Sequence, residues 1–429
     1  MGGRALHLTT MPELDNATSF VSAGHMNRVI GWTLILSGMI LAAVLDSWFF
    51  KPQSGVEYAS SIRPAVRHVQ GVVLGMSLLQ LGFGYLLATS VSDRRVRQTV
   101  ATWTALGATI YTAGYVLGLA WSSCHWLVLA GSLLNFAGFA CLLWTHPVGD
   151  QAVWINRIVP IVCFGMLLDF AAGLFVVLPG DIVLEYIGAA DGVRLRMMRL
   201  ARVAAIALSV LTLLYYSSPG RSASNRRAAD WGGLALTCGA IGMPLLLSAA
   251  SFASLQWKYL LVFPAVATVV GVYYAFISSL RRATWLECWG WGLIAISTSA
   301  GMLMGLYAFD GPLTTPDFLG GYNETPRRLS WLAHSYCIVL GIMAIFLARE
   351  LHGPTGSDGL QNAGRLLFIA GRLLFIAGSG VTIGVLASQI VATSATRFLT
   401  LGPALVVIGA AACLVSIRRR PNSSADKSE

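Results

Sequence analysis

Apolar runs of about 20 residues, the length that crosses the hydrocarbon core of a bilayer as a helix, follow one another along this chain from residue 27 to residue 417. A backbone in lipid must satisfy its own hydrogen bonds, so runs of this length without strict alternation leave α-helix as the reading. Twelve spans are read: 27–49, 64–89, 98–120, 125–145, 155–178, 199–217, 230–251, 258–279, 284–308, 328–349, 364–388 and 396–417. Only 11% of residues are charged and 56% are hydrophobic, whereas soluble domains carry about 25% charged residues. The expectation is an all-α, polytopic membrane protein with a tail over 1–25, one membrane domain over 26–417 and a second tail over 418–429. The first tail has no basic region followed by an apolar core, so no cleaved signal is expected.

Orientation follows from Lys and Arg in the loops. The segments after even-numbered spans hold Arg94, Arg95 and Arg97, then Arg157, Arg221, Arg226 and Arg227, then Arg281 and Arg282, then Arg418 to Arg420. Both termini are therefore expected on the cytoplasmic side of an inner membrane. The net charge of +10 is this bias together with attraction to anionic lipid, and no nucleic-acid partner is expected. The outer side holds an exception. Arg63 and Arg67 enter span 2, Arg194, Arg196, Arg199 and Arg202 enter span 6, and Arg327 and Arg328 enter span 10.

One template recurs along the chain: a basic residue, two variable positions, a small residue, a β-branched residue, a variable position, Leu and a small residue. It fits His68 to Gly75, Arg202 to Ser209 and His334 to Gly341. The copies begin at positions 68, 202 and 334, so the two intervals between them are almost equal. A fixed period is evidence of repeated units, and this one suits three units of four helices, over about 26–150, 151–282 and 283–417. Asn27-Arg28 opens span 1 and Asn156-Arg157 opens span 5, while Gly107-Ala108 matches Gly239-Ala240. The interval from Pro264-Ala265 to Pro403-Ala404 is one heptad too long, because Gly364 to Ala370 is repeated without change as Gly371 to Ala377. A heptad adds roughly 10 Å and nearly two helical turns, so span 11 can absorb the insertion by protruding into the cytoplasm.

Ionisable residues within lipid are candidates for function by default. His68 and His334 fall on the first turns of spans 2 and 10, both running from outside to inside, so they lie at similar depth near the outer face. Two imidazoles so placed could hold one haem iron between two helices, with the outer arginines Arg63, Arg67, Arg327 and Arg328 meeting its propionates. The alternative is that both are interfacial polar residues at helix ends. Asp169 is the most deeply placed carboxylate and is expected to pair with an arginine or hydrogen-bond within the bundle rather than carry protons. Asp46 and Glu287 are expected to reach water, and Trp285, Trp289 and Trp291 to belong to an aromatic belt. The seven cysteines form no Cys-x-x-Cys and read as small hydrophobes.

Twelve spans in three units, with His on spans 2 and 10, resemble subunit I of the haem–copper oxidase superfamily. Arg63-Pro64-Ala65-Val66-Arg67-His68 looks like the start of the second helix in its cbb3-type and nitric-oxide-reductase branches, and Leu332-Ala333-His334-Ser335-Tyr336 looks like its Ala-His-x-His. The resemblance implies that His68 and the second His of span 10 ligate a low-spin haem. By the motif His334 aligns with the first His and Tyr336 with the second. By the internal repeat His334 is the counterpart of His68, which is the reading adopted. The family's copper site needs a His on span 6 and a His-His pair on span 7; span 6 offers Arg202 and span 7 none, so no copper is expected. Arg202 would fill part of that place with charge or clamp a propionate. The expectation is a b-type cytochrome with one low-spin haem b, metal ligands His68 and His334, passing electrons near the outer face from quinol or a periplasmic cytochrome to other respiratory subunits. It is not expected to reduce oxygen or nitric oxide on its own. A haem-free structural or assembly subunit and a multi-pass transporter are the alternatives.

Overall fold

A computed structural model describes residues 24–41, 63–89, 93–144, 151–177, 192–218, 226–308, 313–319, 325–351, 362–391 and 401–418. Among them are twelve α-helices and no strand: α1 (24–41), α2 (Arg63–Thr89), α3 (Arg94–Gly118), α4 (His125–Leu142), α5 (Gln151–Val177), α6 (Val193–Tyr216), α7 (Arg226–Phe252), α8 (Val262–Arg282), α9 (Trp285–Tyr307), α10 (Thr325–Leu351), α11 (Asn362–Val391) and α12 (Leu401–Arg418). Eight of them, α2 and α4 to α10, are long and apolar enough to cross a membrane. Within α11 and α12 shorter apolar stretches run over Ile369–Gly384 and Leu401–Val415. Asp46 and both tails, apart from the helical 24–25 and Arg418, lie outside the described residues.

Among the described residues, six of the seven exposed tryptophans stand at or next to helix ends, Trp103 being the exception. Trp121, Trp126 and Trp257 lie at one end, and Trp144, Trp231 and Trp285 at the other. Trp126 and Trp144 stand at opposite ends of α4 and the turn after it, roughly 27 Å apart along a helix axis. That is close to the thickness of a bilayer's hydrocarbon core, and amphipathic rings settle at its two faces. The belt does not include all three tryptophans of α9, because Trp291 is buried in the core.

Helices adjacent in sequence pack as antiparallel neighbours, and glycine brings them close. A Cβ on Gly107 or Gly114 of α3 would collide with Asn135 or Val128 of α4, and one on Gly131 or Gly138 of α4 with Tyr111 or Thr104 of α3. Where lipid is as apolar as a side chain, such close backbone approach supplies the attraction. Beyond these neighbours, α2 touches both α6 and α10, and Arg349 of α10 donates to the Leu214 carbonyl and Ser217 Oγ at the end of α6, at 2.7 and 2.6 Å. These three helices form the middle of the molecule: 72% of the α2 span is buried inside the protein, against 28% for α8.

The duplicated heptad lies in one continuous helix. Its second copy packs on α12, with Gly371 against Gly409 and Cys413, and Phe375 fully buried against Gly409. In the first copy Ile369 and Ala370 are exposed.

Candidate functional site

Four helices bring one polar cluster together inside the bundle. Asp169 of α5 is 1% exposed. Its Oδ1 accepts from Arg202 Nη1 of α6 at 2.6 Å and from the Tyr111 hydroxyl of α3 at 2.7 Å, and its Oδ2 from Ser132 Oγ of α4 at 2.5 Å. Tyr115, one turn on from Tyr111, meets it edge-on at 5.1 Å between ring centroids. A carboxylate out of water costs several kcal/mol unless paired and hydrogen-bonded, and here a guanidinium and two hydroxyls surround it. Asp169 thus pairs with an arginine, and that arginine is Arg202.

His334 is half-buried on α10 and turned to α9. Its Nδ1 lies 2.9 Å from the Ser297 carbonyl oxygen and 2.9 Å from Ser297 Oγ, while Ser297 Oγ donates to the His334 carbonyl at 2.8 Å. A carbonyl only accepts, so Nδ1 carries the proton and Nε2 keeps its lone pair. The ring lies against Gly301, whose Cβ, if it had one, would sit 2.5 Å from His334 Cε1. Tyr336, two positions on, faces the other way: its hydroxyl accepts from Gln70 Nε2 of α2 at 3.0 Å. Of these two side chains, Tyr336 is turned to α2 and His334 to α9.

The remaining expected site residues are partly visible. His68, Arg63 and Arg67 stand on the first turns of α2, and Arg328 on the first turn of α10; their side chains lie outside the described residues. Arg327 is buried beside the C-terminal end of α9, its guanidinium 5.6 Å over the Tyr307 ring and 3.5 Å from the Tyr307 carbonyl oxygen. By helical spacing position 68 shares a face of α2 with Gly71, Gly75 and Gly82. Gly82 packs on Leu213 and Val210 of α6, but nothing lies within 4 Å of a Cβ built on Gly71 or Gly75. Among the described residues, the half of that face nearer the start of α2 is open.

Glu287 does not reach water. It is 6% exposed, and its Oε1 lies 3.8 Å from Arg349 Nη2. Beside it Arg28 of α1 pairs with Glu350 at 3.2 Å and lies 5.6 Å over the Tyr85 ring of α2. Five helices, α1, α2, α6, α9 and α10, are tied at this end. Sequence reading singled out neither Arg349 nor Glu350, because charges near the end of a span look like ordinary membrane anchors. Among the described residues no three His, Cys, Asp or Glu side chains gather as a metal site. No protein-family model matches the chain, and no curated protein matches it significantly.

Proposed function

We propose that the chain is a b-type cytochrome of the inner membrane, carrying one haem near the outer face on α2 and passing electrons from quinol or a periplasmic cytochrome to respiratory partner subunits. The observation that carries this reading is the open face at Gly71 and Gly75, on which position 68 falls by helical spacing. A helix face without Cβ atoms leaves room for a flat macrocycle beside a histidine ligand, and elsewhere in this bundle most glycines are filled by a neighbouring helix. His68 would be one axial ligand, and the outer arginines Arg63, Arg67, Arg327 and Arg328 would meet the propionates. Bound there, the haem supplies one-electron transfer. On the far side Gln70 and Tyr336 already join α2 to α10, so low-spin ligation by His334 would require α10 to turn.

The three-unit, twelve-span architecture belongs to the same proposal. It is supported by the central trio α2, α6 and α10, the helices that the repeat makes equivalent. The loop arginines support the accompanying topology, with both termini on the cytoplasmic side. A second reading, a haem-free structural subunit, is favoured by the same Gln70–Tyr336 hydrogen bond, which closes the bundle without a cofactor.

The test is the absorption spectrum of the purified protein, oxidised and dithionite-reduced, with His68→Ala, His334→Ala and Tyr336→Phe. Haem lost in His68→Ala and kept in His334→Ala supports ligation from α2 alone; haem lost in both restores the bis-histidine pair. A folded protein without haem, from a host that makes it, overturns the cytochrome.

A further inference from the structure

The α5–α6 and α9–α10 pairs place the same positions face to face. Asp169 meets Arg202, and Gly301 meets His334; both residues of the second pair stand 132 positions after those of the first (301 − 169 and 334 − 202). One turn earlier on the first helix of each pair the correspondence holds again. A Cβ on Gly165 would lie 3.9 Å from the Arg202 carbonyl oxygen, and Ser297 Oγ donates to the His334 carbonyl at 2.8 Å (297 − 165 is also 132).

We infer that these are two copies of one packing device, in which a basic side chain on the central helix clamps back onto the helix before it, and that His334 is the clamp of the second copy rather than an iron ligand. The two copies solve one problem with different chemistry. In the first, the basic group is a permanent cation and needs a carboxylate, which Asp169 supplies. In the second, a neutral imidazole donates from Nδ1 to a backbone carbonyl and needs no counter-charge. It needs room instead, and the missing side chain of Gly301 provides it. Aspartate and arginine, or glycine and histidine, are matched sets, and mixed sets are not: Asp at 301 would strike the imidazole ring, and Arg at 334 would be a buried cation without a carboxylate. This inference rests on the packing register and stands whether or not the protein binds haem.

The experiment grafts each set into the other place in the full-length protein in detergent: Gly301→Asp with His334→Arg, and Asp169→Gly with Arg202→His, beside the four single variants. Thermal unfolding is followed together with the haem spectrum. The expected result is that each double variant unfolds at a higher temperature than both of its singles, the mark of coupled positions. Whatever haem the parent carries is expected to remain in Gly301→Asp/His334→Arg. Doubles no better than the sum of their singles overturn the inference. So does a folded Gly301→Asp/His334→Arg that has lost the parent's haem, since that identifies His334 as a ligand. Failure of both doubles to accumulate as folded protein also overturns it, because the two sets would then not be interchangeable. A parent without haem removes the cytochrome reading and leaves the unfolding comparison intact.

Discussion

Among the described residues, two ionic networks that hold this bundle are built on different terms. The one around Asp169 is sealed: the carboxylate is 1% exposed and both its oxygens are engaged within 2.7 Å. The one around Arg28, Glu287, Arg349 and Glu350 lies at a bundle end and is looser, with one pair at 3.8 Å and the other at 3.2 Å with side chains 21% and 15% exposed. The sealed network joins α3 and α4 to α5 and α6; the looser one draws together helices from distant parts of the chain. Depth decides what each is worth. A charge that water cannot reach is tolerable only with its partner, so the pair is held as a unit. In the looser network Glu287 and Arg349 are also buried, and only the Arg28–Glu350 pair is partly open to water, where an ion pair contributes little beyond the hydrogen bonds it makes.

Breaking the sealed network gives the largest effect. Asp169→Ala leaves Arg202 as an uncompensated buried cation, which costs about 3–5 kcal/mol, and the expected outcome is a large fall in unfolding temperature or in folded yield. Replacing both partners with apolar residues of similar volume, Asp169→Leu with Arg202→Met, is expected to recover most of that loss, because no orphan charge remains. A double variant as unstable as Asp169→Ala would mean that the hydroxyls of Tyr111 and Ser132, rather than the charge, set the cost. Arg349→Met comes next. It frees the Leu214 carbonyl and Ser217 Oγ and leaves Glu287 unpaired, for about 1–3 kcal/mol, measured the same way. Arg28→Ala removes a partly exposed pair of the kind worth about 0–1 kcal/mol. Should Arg28→Ala prove as damaging as Asp169→Ala, the contrast between the two networks would fall.

What could be read in advance divides along the same physical line. The helices were legible because lipid forces every backbone group into an internal hydrogen bond, and a run of about 20 apolar residues has one way to do that. The pairing of Asp169 was legible too, since an isolated carboxylate at that depth is intolerable. Rotation of each helix about its axis was not. A membrane helix is apolar on every face, so hydropathy does not say whether His334 or Tyr336 turns to α2; glycine contacts and the Gln70 hydrogen bond decide it. Glu287 departs from the expectation of its sequence for a related reason. Its place near a span end suggests water, but Arg349, from the far end of the next helix, covers it, and no local pattern reveals that partner.

The smallest expected effect comes from removing the most conspicuous oddity of the sequence. The second copy of the heptad supplies the contacts with α12 through Gly371 and Phe375, and Arg372 lies 5.0 Å over the Trp285 ring of α9. Deleting Gly364 to Ala370 leaves all of these in place and shortens only the end of α11 that runs past them. The two copies are identical, so deleting Gly371 to Ala377 yields the same polypeptide, and the outcome does not depend on which copy is removed. The shortened protein is therefore expected to unfold within about 0.5 kcal/mol of the parent, the range of changes that touch no buried contact. A larger loss would show that the extra two turns of α11 are held against the bundle, which would give the end that carries Arg28 and Glu350 a third attachment beside its two ion pairs.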